Sequence, residues 1–159
     1  AAFDAVVAVH IFHLIPAWRE ALGEVRRVLR PNAPLLHGWN ARLAQDALQA
    51  AWDKVMDETV TVNGKVSTDW RRNFLAESGW RELGGLQTYA YTVQRTPQEF
   101  YDSMAQRYFS STWRISDAQL ERGLAAVRGY IASHYDDPTQ PEMLNSSFHV
   151  QAYLPPLTP

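Results

Sequence analysis

The sequence predicts an α/β fold from three observations. Residues 3–9 form a short, valine-rich apolar run, which is typical of a strand buried on both faces. Residues 17–30 change to a helical period, and residues 34–39 form a second apolar run. Strand, helix and strand in this order predict a βαβ unit with two parallel strands.

The helix of this unit is predicted from its apolar stripe and from its ends. Apolar residues recur at helical spacing along one stripe, namely Trp18, Leu22, Val25 and Leu29. Arginines crowd the last turn, where positive charge favours the C-terminal end of the helix dipole. Pro31 then ends the helix.

The middle of the chain predicts two helices and a strand. Residues 43–58 and 68–78 have helical patterns, and Asn63-Gly64 between them indicates a hairpin turn. Gly79 suits the left-handed residue that follows a helix. Residues 86–95 alternate, with β-branched and aromatic side chains, and therefore predict a strand.

Two further helices are predicted from their starts. Residues 96–99 (TPQE) and 116–119 (SDAQ) have the pattern of capping boxes. The first helix is expected to have an apolar stripe of Phe100, Met104 and Tyr108. Residues 148–154 alternate and predict a final strand, which two prolines end. The predicted order is β-α-β-α-α-β-α-α-β, in a single domain over residues 1–159.

Composition narrows the class of protein. A chain of 159 residues that is 46% hydrophobic suits one globular domain. Its net charge of -2 argues against nucleic acid as the main partner. The sequence has no cysteine, which excludes disulfides and thiolate metal sites. No apolar run approaches the ~20 residues of a membrane span, so we expect a cytoplasmic protein without a membrane partner.

The N-terminal part carries a family pattern. It reads FDAVV at residues 3–7, HL at residues 13–14 and ExxRVLRPNA at residues 24–33. This pattern resembles the second half of class I S-adenosylmethionine-dependent methyltransferases, and the small-molecule branch called type 11 in particular. The resemblance implies a Rossmann-like methyltransferase sheet, here with its fourth to seventh strands, and a helical cover over residues 96–135.

The chain departs from the family pattern at two points. Asn32-Ala33 replaces a Gly-Gly pair, and the turn is expected to survive because asparagine tolerates a left-handed backbone. The sequence contains no G-x-G, and its glycine pair Gly84-Gly85 precedes the predicted strand at residues 86–95. In the family, a glycine-rich loop and an acidic residue before the fourth strand hold the cofactor's carboxypropyl and ribose groups. We therefore expect the C-terminal half of a methyltransferase domain, inactive on its own.

The resemblance implies that S-adenosylmethionine is the cofactor and that it lies at the end of the first strand. The expected cofactor contacts are Ala8, Val9, His10 and His13. Ligands of open α/β sheets bind at this edge, and the rings of Phe12 and Trp39 would favour a sulfonium cation. For His10 a general-base role is an alternative. For His13 the alternative is a structural role in the loop.

The predicted substrate contacts are Trp39, Arg107 and Tyr108. Methyl transfer is an in-line displacement that depends on alignment more than on acid–base help, so no catalytic residue is predicted. No metal is predicted either, because the two N-terminal histidines leave a strand end and have no third ligand. Asn40 is expected to cap the following helix.

The sequence is compatible with three functions. The first is S-adenosylmethionine-dependent methyl transfer to a small molecule by the intact protein. The second is a non-enzymatic association module, in which the exposed first strand pairs with a second copy of the chain. The third is a ligand-binding protein that uses the aromatic-rich C-terminal helices.

Overall fold

The computed structural model describes residues 2–41, 43, 46–56 and 68–156. The predicted order of elements is confirmed, and the predicted turn at Asn63-Gly64 lies outside the described residues. A 3-10 turn at Ser110–Thr112 joins the last two helices. The helices and strands are β1 (Val6–Val9), α1 (Trp18–Val28), β2 (Leu35–Asn40), α2 (Ala47–Val55), α3 (Thr68–Glu77), β3 (Arg81–Arg95), α4 (Pro97–Ala105), α5 (Asp117–His134) and β4 (Glu142–Leu154).

The strands form an open four-stranded sheet in the order β1-β2-β4-β3. As predicted, β1 and β2 are parallel, with Val6 opposite Leu35. Strand β4 runs antiparallel to β2, with Tyr153 opposite Leu35 and Phe148 opposite Asn40. The predicted α/β class is therefore confirmed, and the last strand of the chain lies inside the sheet.

The chain divides into two compact units. We call Ala1–Ala41, Asn63–Ala90 and Ser147–Pro159 the sheet unit. We call Arg42–Val62 and Tyr91–Ser146 the helical unit. Each unit has its own cluster of buried apolar side chains.

One side of the sheet unit, which we call the core face, carries the buried cluster. Side chains alternate along strands and cross-strand partners share a side. The core face therefore presents Val6, Ala8, Leu35, His37, Trp39, His149, Gln151 and Tyr153. The predicted stripe of α1 packs in this cluster: Trp18, Leu22 and Leu29 are buried, and Val25 packs against them. Leu75 of α3 and Trp80 also belong to this cluster, as do Phe12 and Ala33.

The opposite side of β1 is open. Val7 is 66% exposed and Val9 is 45% exposed, because alternation turns both side chains away from the core face. The expectation that this strand is buried on both faces is therefore wrong for the described residues. In the described sheet, β1 has a strand on one side only, which is β2.

Strands β3 and β4 both start earlier than the sequence predicts. Strand β3 begins at Arg81, so Gly84-Gly85 lies inside the strand and not before it. Gly84 has a φ of 69°, which glycine adopts at no steric cost. Strand β4 begins at Glu142, although residues 142–147 are polar. Pairing with a neighbouring strand extends both beyond their own sequence signals. Gly79 has the predicted left-handed backbone, with a φ of 79°.

The helical unit packs α2, α4 and α5 around a second core. Both predicted capping boxes are present, at Thr96 and at Ser116. The buried side chains are Leu48, Trp52, Phe100, Met104, Ile115, Leu120, Leu124 and Val127. The predicted stripe of α4 is wrong at Tyr108, because the helix ends at Ala105 and Tyr108 is 67% exposed. Within the described ranges, no helix is both long and apolar enough to cross a membrane.

Candidate functional site

The core face changes from apolar to polar along β2. At the start of the strand, Leu35 and its partner Tyr153 are buried in the apolar cluster. The next pair is His37 and Gln151, and both of these polar residues are buried. The last core-face pair, Trp39 and His149, is half-buried. The polar end therefore lies at the carboxyl end of β2, the edge where open α/β sheets bind ligands.

Aromatic rings form a row across this polar end. The ring centroids of Phe12 and His37 are 5.4 Å apart, and those of His37 and Trp39 are 5.0 Å apart. The row continues to His149, whose ring centroid lies 5.6 Å from that of Trp39. All four rings belong to the sheet unit. The polar end of the core face is therefore built largely around these four rings.

Two hydroxyl groups orient His149. Its Nδ1 lies 2.9 Å from Oγ1 of Thr88, and its Nε2 lies 3.2 Å from Oγ of Ser147. A hydroxyl can donate to or accept from an imidazole nitrogen, so this arrangement allows either tautomer. The ring is thereby held beside Trp39 while it keeps the capacity to exchange a donor for an acceptor.

Gln151 supplies a buried acceptor beneath this row. Its side-chain Nε2 donates to the carbonyl oxygens of Ala152 at 3.0 Å and Gly84 at 3.4 Å. Its Oε1 is buried and has no hydrogen-bond donor among the described residues. Buried side-chain oxygens nearly always have a donor. This atom therefore indicates that the polar end can accept one further donor group.

His10 joins the ends of the two parallel strands. Its backbone N–H donates to the carbonyl of Gly38 at 3.1 Å, and its Nε2 accepts the N–H of Asn40 at 2.9 Å. His10 therefore has a structural role at the end of β1, and His13, for which the sequence suggested such a role, lies half-buried in the loop after β1. The lone pair of Nε2 is used in this bond, so it is not available to a substrate proton.

The prediction that Asn40 caps the next helix is wrong. Asn40 is the last residue of β2, and its N–H is bound to His10. The cap of α2 is Asp46, whose carboxylate accepts the N–H of Gln49 at 3.0 Å. The polar side chain of Asn40 suggested a helix cap. Strand β2 nevertheless continues through Asn40, because this residue pairs with Phe148 of β4.

The other predicted site residues are divided between the units. Ala8 is buried on the core face and Val9 is exposed on the opposite side, so the two side chains do not share a surface. Trp39 lies in the aromatic row of the sheet unit. Arg107 and Tyr108 belong to the helical unit. Their roles as cofactor or substrate contacts remain predictions.

Arg107 holds its own loop in place. Its guanidinium donates to the carbonyl oxygens of Thr112 and Ile115, the latter at 2.9 Å, and pairs with Asp117 at 2.7 Å. Its carbonyl accepts the indole N–H of Trp113 at 2.9 Å. Arg107 has a φ of 55°, so these contacts stabilise a turn that non-glycine residues seldom adopt.

Sequence reasoning missed Thr88, Ser147, His149 and Gln151. The available signal was the alternation in β4, where His149, Gln151 and Tyr153 interleave with apolar Phe148, Val150 and Ala152. The sequence suggests that the apolar set faces the core. In the structure His149, Gln151 and Tyr153 lie on the core face, while Phe148, Val150 and Ala152 lie on the other side and are half-buried.

The residues at this edge fit one end of S-adenosylmethionine. Residues 5–18 and 34–40 contain no lysine or arginine, which suits a sulfonium cation, and the rings of Phe12 and Trp39 lie there. None of the four described strands ends in an acidic residue. In the described ranges, no set of three histidine, aspartate or glutamate side chains forms a metal site.

Comparisons with known proteins agree with this fold. Residues 1–36 match the model of a methyltransferase domain family. A protein of Anaeromyxobacter dehalogenans, assigned as a type II methyltransferase, has a similar structure with a TM-score of 0.63 and 15% identity. The similarity covers 99% of this chain and 67% of that one. No curated protein matches the sequence.

A second solved structure is similar at a lower level. It is a protein of Bacillus halodurans, assigned as a methyltransferase, with 13% identity and a TM-score of 0.48. The similarity covers 98% of this chain and 70% of that chain. The sequence match confirms the resemblance to a methyltransferase domain, and the first structural likeness supports the same fold. The fold is the Rossmann-like methyltransferase fold, and the matched residues 1–36 contain the FDAVV, HL and ExxRVLRPNA motifs.

Proposed function

We propose that this chain takes part in S-adenosylmethionine-dependent methyl transfer to a small molecule. The observation that carries the proposal is the polar, ring-lined end of the core face, which lies at the carboxyl ends of β1 and β2. The match of residues 1–36 to a methyltransferase domain supports the reaction type. S-Adenosylmethionine supplies the methyl group when bound.

The chain's own residues would position the reactants. The end of β1 from Ala8 to His10, together with His13 in the following loop, would lie along the methionine end of the cofactor, with Val9 contributing its backbone because its side chain faces away from the core face. Trp39 would lie along the acceptor. The bond from Asn40 to His10 fixes the ends of both strands at this edge. Alignment alone lowers the barrier of such reactions by about 7–11 kcal/mol, so a rigid edge is the main requirement.

We also propose that these 159 residues by themselves bind the cofactor weakly. The sequence has no G-x-G loop, and no described strand ends in an acidic residue that could hold the ribose. Isothermal titration with S-adenosylmethionine should give no saturable binding in the low-micromolar range. A low-micromolar dissociation constant would show that residues of this chain replace those groups.

The site assignment is tested by ¹H–¹⁵N correlation spectra during titration with S-adenosylhomocysteine. Its methionine end should shift the amide signals of residues 8–13 and 39–40, even where binding is weak. ATP is the matched control, because it shares the adenosine part and lacks the methionine part. Equal shifts with ATP, or no shift in residues 8–13 at the highest concentration, would contradict the proposal.

Self-association is a second candidate function, favoured by the exposure of β1. Val7 is 66% exposed on a strand that, in the described sheet, has a neighbour on one side only. Such an edge can add a strand from a second copy. Light scattering should then report a dimer that Val7→Lys dissociates. Met143→Lys is the control, since Met143 is 67% exposed but lies on β4. A monomeric wild-type chain would rule this function out.

A further inference from the structure

We propose that the polar end of the core face binds a small planar molecule that carries a hydroxyl or amine donor. The molecule would be the methyl acceptor, and this second statement rests on the proposed function. The site is formed by Trp39, His149, Ser147, Thr88 and Gln151, all within the sheet unit.

The ring row favours a planar ligand. Trp39 is half-buried, and its ring lies 5.0 Å from that of His37 and 5.6 Å from that of His149. An aromatic ring of a ligand, packed against Trp39 or His149 at a similar distance, would make a further favourable contact of this kind. Thr88 and Ser147 hold the ring of His149 in place, and Trp39 belongs to a strand that is paired with β4. The binding surface is therefore already ordered before a ligand binds. Little conformational entropy is lost when a rigid ligand joins it.

The charges around the site favour a neutral ligand. The core-face side chains of β1, β2 and β4 include no lysine, arginine, aspartate or glutamate. At the polar end, the titratable core-face groups of β2 and β4 are His37 and His149, and Thr88 of β3, which contacts His149, is neutral. An anionic ligand would meet no lysine or arginine among these core-face side chains, and burying it there would be costly.

Hydrogen bonding favours a ligand that donates. The bond between Nε2 of His149 and Ser147 is long, at 3.2 Å, so a ligand hydroxyl can replace it at small cost. Gln151 is 2% exposed, and its Oε1 is a buried acceptor without a donor. In the tautomer whose Nδ1–H donates to Thr88, Nε2 of His149 is an acceptor, and it then lies on the same face as Gln151, two residues away on β4. A ligand N–H or O–H group would satisfy an atom that the described chain leaves unsatisfied.

Phenol and anisole are suitable probes, since they share a ring and differ in the donor. Titration of the whole chain, followed by ¹H–¹⁵N spectra, should show phenol shifting the indole signal of Trp39 and the amide of His149. Anisole should bind about tenfold more weakly, which corresponds to one hydrogen bond. His149→Phe keeps a ring and should remove the preference for phenol. His134→Phe, in the helical unit, should keep it.

Equal binding of phenol and anisole by the wild-type chain would overturn the proposal, and so would shifts confined to other residues. If His149→Phe does not fold, the proposal is tested with His149→Gln and with the ratio of the phenol and anisole affinities of the wild-type chain. The two proposals can fail separately. If the chain prefers phenol but S-adenosylhomocysteine shifts no signals, the binding site stands and its role in methyl transfer is rejected. If S-adenosylhomocysteine shifts the expected signals but phenol is not preferred, only this binding site is rejected.

Discussion

At the scale of single residues, His10 shows how one side chain fixes the edge of a sheet. Its φ of 49° lies in the left-handed region, which histidine enters more often than most residues. That backbone turn carries the chain out of β1 and lets Nε2 accept the N–H of Asn40, 30 residues further on. The ends of β1 and β2 are thus joined by a side chain in addition to the backbone ladder.

Replacing His10 should loosen this edge. His10→Ala removes the acceptor and leaves a left-handed backbone that alanine disfavours, so we expect a loss of about 1–2 kcal/mol in the free energy of unfolding. Urea unfolding measures this loss, and amide exchange of Asn40 should become faster. His10→Asn separates the two causes, because asparagine tolerates the backbone but is too short to make the bond. Unchanged exchange of Asn40 in both variants would contradict the assigned role.

At the scale of elements, the packing of α2 on α5 depends on a missing side chain. A Cβ atom at Gly123 would lie 2.5 Å from the ring of Trp52, which is only 4% exposed. The ring therefore occupies the space above the glycine. Gly129 lies on the same helix and has no neighbouring atom within 4 Å of such a Cβ, so the two glycines form a matched pair.

We expect opposite effects from the two alanine substitutions. Gly123→Ala should lower the free energy of unfolding by about 1–3 kcal/mol, because overpacking outweighs the gain in helix propensity. Gly129→Ala should raise it by up to about 1 kcal/mol, since only propensity changes. Urea unfolding followed by tryptophan fluorescence measures both. A stabilising Gly123→Ala would mean that Trp52 moves aside freely.

The pair Arg95 and Asp46 links the end of β3 to the start of α2. Two hydrogen bonds of 2.9 and 3.0 Å join the guanidinium to the carboxylate, which also caps the helix. The side chains are only 14% and 10% exposed, and the guanidinium lies 4.5 Å from the ring centroid of Phe100. Solvent therefore screens this pair far less than the exposed pair of Arg27 and Glu24.

Removing one partner of this pair should be costly. Arg95→Met leaves the carboxylate of Asp46 partly buried without its cation, and we expect a loss of about 3 kcal/mol or more. Arg27→Met removes an exposed pair of the same kind and should cost less than about 1 kcal/mol. The two variants are compared by urea unfolding at the same salt concentration. Similar losses in both would show that Arg95 contributes no more than a surface charge.

At the scale of the whole molecule, local signals in the sequence predicted the order of the elements but, apart from Trp39, not the residues of the proposed site. Capping residues such as Thr96 and Ser116 act within a few residues, so the starts of α4 and α5 are correct. The site depends on β4 lying between β2 and β3, which places His149 beside both Trp39 and Thr88. Thr88 and His149 are 61 residues apart in the chain, and no local pattern predicts such a contact.

The stability of the whole chain should also depend on pH through Tyr135. Burial raises the pKa of Tyr135 above its ordinary value, and its hydrogen bond of 2.6 Å to the carboxylate of Glu142 raises it further. Because the folded state holds the proton more tightly, this contribution is complete below the ordinary tyrosine pKa of about 10. It is lost as pH rises from there through the higher pKa of the folded state.

Tyr135→Phe should therefore destabilise the chain at neutral pH by about 1 kcal/mol, since Glu142 loses its donor. The difference in the free energy of unfolding between wild type and variant should become smaller as pH rises above about 10. Urea unfolding at several pH values measures this difference. Glu142→Gln keeps an acceptor but removes the charge, so the phenol should titrate at lower pH than in the wild type while burial still keeps its pKa raised. A gap that stays constant through the alkaline range would mean that Tyr135 titrates alike in the folded and unfolded chains.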